Sequence, residues 1–246
     1  MTLLRSSLRR RAVDARELMD DPACDPELLA RTYEQFRVVN SLVSGWRGTY
    51  RDRIRPLLSP VLPSTLLDIG CGGGDIARAL AHWAAADGLQ LQVTAIDPDA
   101  RALDFAARTP NPDGVRFLLA ESSELVDAAQ RFDFVVSNHV LHHLTPEQLA
   151  DLQVDSELLC RGLALHSDIR RSPVAYAAFS VGTLPFFRRS FIRDDGLTSI
   201  RRSYTTAELR VAARRGWSVE AQPPYRNLLS YAASSAARTG GAETDA

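Results

Sequence analysis

The residues best suited to chemistry in this 246-residue chain form two sets. The first set is acidic and glycine-rich. Asp68 ends an apolar run, and Gly70, Cys71, Gly72, Gly73 and Gly74 follow before Asp75 opens an amphipathic stretch. Asp97-Pro98 and Glu121-Ser122 close two later apolar runs. Glycines let the backbone turn tightly and let a ligand approach the main chain. A dinucleotide site needs G-x-G-x-x-G with a helix N-terminus facing a pyrophosphate. Counted from Gly70, the last position of that pattern is Asp75. A carboxylate there satisfies the free N–H groups and the helix dipole by itself, and it repels phosphate. The loop suits a ligand carrying an amino group and a sulfonium, and disfavours a nicotinamide or flavin dinucleotide.

The second set is His139, His142 and His143, directly after a fourth apolar run that ends at Asn138, with Asp168 at the end of a fifth. Histidine titrates near neutrality and can take a proton from a phenol or alcohol. Asp168 is placed to orient such a histidine, to cap a helix, or to pair with Arg170. On a helix, the adjacent His142 and His143 would point about 100° apart and could not both face one substrate. Packing, or closing a ligand pocket, is the alternative role for these histidines.

The elements that must position both sets alternate short apolar runs with amphipathic stretches, the pattern of a parallel sheet covered by helices. Strands are expected near 65–69, 92–96, 115–119, 134–137 and 163–166, with helices over 75–87, 100–108, 125–130 and 146–159. Residues 1–60 read as a mobile arm followed by a helical lid, with Leu29, Tyr33, Phe36, Val39 and Trp46 at helical spacing over 25–56. A core over 61–170 follows. Residues 171–204 read as an inserted helical cap, whose Tyr176, Phe179, Phe186, Phe187 and Phe191 suggest an apolar acceptor pocket. Its arginines, Arg188, Arg189, Arg193, Arg201 and Arg202, read first as a solvated face, with binding of an acidic acceptor or a dimer contact as the alternatives. Thr205 with Glu208 forms a capping pattern for a further helix. Final strands are expected at 217–221 and 227–232 within the segment 205–234, and a disordered tail over 235–246.

A formal net charge of −1 supplies no field for nucleic acid or an anionic membrane. All 29 basic residues are arginine, a bias of the kind a GC-rich genome produces. Three cysteines without paired spacing fit a reducing compartment and no structural metal. No long apolar run and no signal core occur, so a cytoplasmic protein without stable membrane insertion is expected.

Leu66-Leu-Asp-Ile-Gly-Cys-Gly-Gly-Gly-Asp75 resembles the first motif of the class I S-adenosylmethionine-dependent methyltransferases. Val93-Thr-Ala-Ile-Asp97-Pro98, Phe117-Leu-Leu-Ala-Glu121-Ser122 and Phe132-Asp-Phe-Val-Val-Ser-Asn138 resemble the next three, in order, over residues 65–144. The resemblance implies a Rossmann-like α/β fold with a seven-stranded sheet, six strands parallel and one antiparallel. It also implies cofactor contacts at Asp68, Gly70, Cys71, Gly72, Asp75, Asp97, Pro98, Glu121, Ser122 and Asn138. Asp97 would hold the ribose hydroxyls and Glu121 the adenine amino group. The backbone at Ser137–Asn138 would meet the methionine part. Tyr33, Asn40, Gly45 and Trp46 are spaced as in the quinone-biosynthesis C-methyltransferases. Leu141-His142-His143 is similar to a stretch in some small-molecule O-methyltransferases, where a histidine pairs with a carboxylate. The expectation is methyl transfer from S-adenosylmethionine to an aromatic, phenol- or quinol-like metabolite by a monomer or homodimer. His142 or His143 would assist with Asp168, and oxygen is favoured over carbon as the methylated atom. A non-catalytic binding protein of the same fold is the rival reading.

Overall fold

The computed structural model describes residues 8–183 and 189–233, except the side chains of 41–43. Seven strands form one sheet in the order β3-β2-β1-β4-β5-β7-β6. They are β1 Ser64–Ile69, β2 Leu91–Asp97, β3 Val115–Leu119, β4 Phe132–Asn138, β5 Cys160–Ile169, β6 Trp217–Gln222 and β7 Arg226–Ala232. β7 runs antiparallel to both β5 and β6, so six strands point one way and one the other. The central strands are apolar on both faces, with Leu66, Leu67, Val135 and Ala164 fully buried, as a sheet covered on both sides requires.

Eight helices matter to the site: α1 Pro26–Val43, α2 Asp75–Ala86, α3 Ala100–Ala106, α4 Ser122–Asp127, α5 Pro146–Leu159, α6 Pro173–Gly182, α7 Ile192–Arg202 and α8 Thr206–Ala212. Caps written in the sequence set several of their starts. Thr145 with Gln148 opens α5, and Thr205 with Glu208 opens α8, both as reciprocal capping boxes. Among the described residues no helix is long and apolar enough to cross a membrane.

Two N-terminal expectations change. The helix expected over 25–56 breaks at Gly45, whose φ of 61° is left-handed, and resumes as tight helical turns over 46–57. Residues 8–15, expected as part of a mobile arm, are bound to the cap. Ala12 N–H donates to the Arg201 carbonyl at 3.0 Å, and the Arg11 guanidinium donates to the carbonyls of Arg202 and Leu144 while stacking on Tyr204. The tail expected at 235–246 lies outside the described residues, as do Phe186, Phe187 and Arg188 of the cap.

Candidate active site

Parallel strands end at one edge of the sheet, and α/β proteins bind ligands in the crevice outside those carboxyl ends. A cavity of about 1200 Å³ lies there, walled by the β1–α2 loop, the ends of β2, β4 and β5, and the start of β7. Helix α1 and the cap helices α6 and α7 enclose it. One small-molecule site usually occupies about 300–1,000 Å³. The space therefore accommodates two ligands side by side.

One half of the cavity is acidic. Asp68, 1 % exposed, has a carboxylate oxygen with no hydrogen-bond partner, and burial together with its neighbours Asp75 and Asp97 pushes its carboxyl well above the usual range. Asp75, the first residue of α2, accepts from the Asn40 side chain at 2.8 Å, and burial still raises its carboxyl. Asp97 accepts the Gly72 and Asp99 N–H groups at 2.8 and 2.9 Å, and burial raises it too. The cap of α3 is Asp99 and not Asp97, which leaves Asp97 directed at the glycine turn. Gly70 sits at φ 68°, and a β-carbon there would press on Val140 at 2.7 Å. Three acids raised by burial around a glycine turn, with Asp75 and Asp97 also disfavouring ionisation of Asp68, fit a cationic ligand and oppose a diphosphate.

The other expected cofactor residues line the same half. Cys71 is buried, and burial pushes its thiol well up. Pro98 and the exposed Glu121 border the cavity, and the Ser122 hydroxyl is already donated to Asp155 at 2.6 Å. Asn138 accepts from the Trp46 indole at 2.9 Å. The N-terminal pattern thus reaches the loop through Asn40 and Trp46, with Tyr33 on the cavity wall.

The histidine half is arranged differently from expectation. Residues 139–144 form a turn and not a helix, and the His142 and His143 rings lie 4.2 Å apart, centroid to centroid. Both approach Glu17, at 3.3 and 3.8 Å. His142, 2 % exposed, bonds Asp168 Oδ1 through Nδ1 at 2.8 Å and Asp168 Oδ2 through its backbone N–H at 2.7 Å. Its Nε2 makes an ion-pair contact with Glu17 that lacks hydrogen-bond alignment. Burial alone would lower the imidazole, but Asp168 and Glu17 outweigh it and raise His142 to about 10. The same pairing overcomes burial and holds Asp168 and Glu17 below the usual carboxylate range. Asp168 and Glu17 thus favour the protonated ring of His142, which suits it to hold Asp168 in place.

His143 is more open and lies 3.5 Å from Asp20, whose carboxyl His143 and Arg202 pull down against its burial. His139 follows Asn138 at φ 60°, with Nδ1 3.7 Å from Asp168 and no hydrogen-bond partner. Glu17, His142 and His143, and separately His139, His142 and Asp168, bring metal-ligand atoms within 4.8 Å of one another, and ion pairs already engage these groups. Arg202, expected on a solvated face, is 7 % exposed and donates to the carbonyls of His142 and His143, fixing the turn. Of the described cap aromatics only Phe179 lines the cavity, and Phe191 packs in a core with Leu29 and Tyr33. Glu17 and Arg226 were missed by sequence reasoning. Glu17 carried no local signal, whereas Arg226 opens an apolar strand where a charge is unusual.

A family model described as a methyltransferase domain matches residues 66–154. The chain is similar to a ubiquinone biosynthesis O-methyltransferase of Azorhizobium caulinodans, 28 % identical over 127 residues, covering 51 % of this chain and 48 % of that protein. It is also similar to one of Rickettsia conorii, 33 % identical over 112 residues, covering 45 % and 37 %. The chain thus spans about half the length, or less, of these curated relatives. Among solved structures, the plantazolicin methyltransferase BpumL in complex with SAH shares the fold at a TM-score of 0.55 and 13 % identity, over 95 % of this chain and 98 % of that one. A putative O-methyltransferase from Nostoc punctiforme has a TM-score of 0.54 at 18 % identity, over 81 % and 60 %.

Proposed function

We propose that this member of the class I S-adenosylmethionine-dependent methyltransferases methylates a hydroxyl oxygen of a small aromatic, phenol- or quinol-like metabolite. The observation that carries the reading is one cavity with acids that have no counter-cation at one end, an orphaned Asp68 oxygen among them, and an imidazole–carboxylate cluster at the other. The names of the ubiquinone O-methyltransferase relatives support oxygen as the acceptor atom.

Bound S-adenosylmethionine supplies a methyl group already activated on a sulfonium. Asp68 and Asp75 would face its cationic part, Asp97 the ribose hydroxyls, and Glu121 the adenine amino group. The chain's remaining task is to hold the acceptor in line, which is worth about 7–11 kcal/mol, and to take its proton. His139 is the imidazole assigned to that proton. It lines the cavity directly after Asn138, with Nδ1 3.7 Å from Asp168. Asp168 beside it would stabilise the positive charge that the accepted proton leaves on the ring. His142 acts as a positioning residue that locks Asp168, and His143 with Glu17 and Asp20 completes the acid-lined wall.

The test is a panel of catechols and phenols incubated with protein and S-adenosylmethionine, with product mass read out for wild type and His139→Ala. The expected result is a methylated product whose rate falls about 10²–10⁴-fold in the variant. A protein that binds cofactor yet leaves every phenol unchanged would support the non-catalytic reading. Carbon methylation keeps its support from Tyr33, Asn40, Gly45 and Trp46. A product retaining all its hydroxyl protons in NMR would favour it.

A further inference from the structure

Arg226, the first residue of β7, is 6 % exposed and lines the cavity with Pro224 and Tyr225. Its guanidinium donates to the Pro223 carbonyl at 3.2 Å, the Ser167 hydroxyl at 3.0 Å and the Gln222 side chain at 2.9 Å. All three acceptors are neutral. Among the described residues no carboxylate forms an ion pair with it, although every other buried arginine that contacts the histidine turn or the cap has one nearby. A guanidinium carries five N–H donors, so donors remain. Burying a charge without a counter-charge is costly, and such groups are normally paired. Burial lowers Arg226 to about 10, which still leaves it charged at neutral pH.

Its place in the sheet decides what can meet it. β7 lies beyond β5 and β4 from β1, three strand spacings or about 14 Å from the acid-lined turn. Arg226 pairs in register with Ile169 and bonds Ser167, which in turn pairs with Asn138, so the cation stands beyond the strand end expected to meet the methionine part, on the side away from the acid-lined turn. Gly45 makes room for it, since a β-carbon at that position would collide with the guanidinium. From this placement, and resting on the methyltransferase reading above, we propose that Arg226 binds an anionic group, a carboxylate, on the aromatic acceptor and selects for acceptors that carry one.

The experiment titrates protein saturated with S-adenosylhomocysteine by calorimetry with two probes, a dihydroxybenzoate and the same catechol without its carboxylate. Wild type, Arg226→Lys and Arg226→Met are compared, and cofactor binding is measured first in each. The expected result is a preference of about tenfold or more for the carboxylated ring in wild type. That preference should persist in part in R226K and disappear in R226M, with S-adenosylhomocysteine affinity unchanged. Equal binding of both rings by wild type, or a preference that survives R226M, overturns the proposal. Weakened S-adenosylhomocysteine binding in R226M also overturns it, because the guanidinium would then serve the cofactor's carboxylate. Should R226M not fold, the wild-type and R226K preferences decide alone. No cofactor heat in wild type would instead defeat the methyltransferase reading, so the two failures are distinct.

Discussion

The two ends of the cavity hold the same kinds of side chain under opposite electrostatic conditions. At the β1–α2 end, Asp68, Asp75 and Asp97 are buried together, and burial raises all three. At the histidine end, Glu17 and Asp168 are also buried and Asp20 lies at the more open edge, yet imidazoles and Arg202 pull all three down. A buried acid held down by a partner is part of the protein's own framework. A buried acid left high, with an orphaned oxygen as at Asp68, waits for a charge the chain does not supply. Arg226 is the cationic counterpart of that second kind.

Breaking the paired end should have the largest effect on the fold. Asp168→Ala leaves the His142 imidazolium without its main partner, and removing one member of a buried pair costs about 3–5 kcal/mol. Urea denaturation should show that loss. A change below about 1 kcal/mol would mean the pair is not buried as described.

Breaking the unpaired end should spare the fold and affect the ligand. Asp97→Asn weakens charge-assisted bonds worth about 1.5–3 kcal/mol each, which amounts to roughly a tenfold to hundredfold loss in S-adenosylhomocysteine affinity. Thermal stability of the unliganded protein should change little, because relief of a buried charge offsets the one backbone N–H bond that the amide nitrogen cannot accept.

The pH dependence sharpens the contrast, since the two ends have opposite signs. His142 is raised from 6.5 to about 10, so its stabilising contribution is full below about pH 6.5 and is lost as pH climbs through about 10. Glu17, Asp20 and Asp168 are lowered, so theirs is present above their ordinary values near 4 and is lost in acid. Asp68, Asp75 and Asp97 are raised from 3.8, so the unliganded fold loses stability as pH rises above that value. A cationic ligand cancels the last effect alone. The rise in melting temperature on adding S-adenosylmethionine should therefore be greater at pH 8 than at pH 5.

The smallest effect belongs to a pair remote from both ends. Arg53 and Glu220 meet at 2.7 Å with both side chains 44 % exposed, and Glu220→Gln should change stability by no more than about 1 kcal/mol.

Local signals made the first end legible. Strand, glycine turn and helix start are contiguous from Ser64 to Ala86, and the capping pattern at Thr205 with Glu208 marked the start of α8. The second end is assembled from distant parts. Glu17 meets His142 across 125 residues of chain, and Arg226 meets Gly45 across 181, contacts that no periodicity encodes. A pairing of Asp168 with His142 or His143 was one of the expected roles, implied by the resemblance, and the adjacent ends of β4 and β5 bring it about for His142. Its consequence, a ring whose protonated form is favoured in spite of burial, depends on Glu17 as well as Asp168. The break at Gly45 was hidden because the helical periodicity continues through it, while its left-handed φ and the guanidinium above it, which both demand glycine, come from the folded chain.

The central claim, that the acidic turn receives a cationic sulfur nucleoside, is tested most directly by calorimetric titration with S-adenosylmethionine in two buffers of different ionisation enthalpy. Saturable binding with protons released to the buffer, and no heat from a nicotinamide dinucleotide, is the predicted result. A folded protein that ignores S-adenosylmethionine, or that binds the dinucleotide instead, would contradict it.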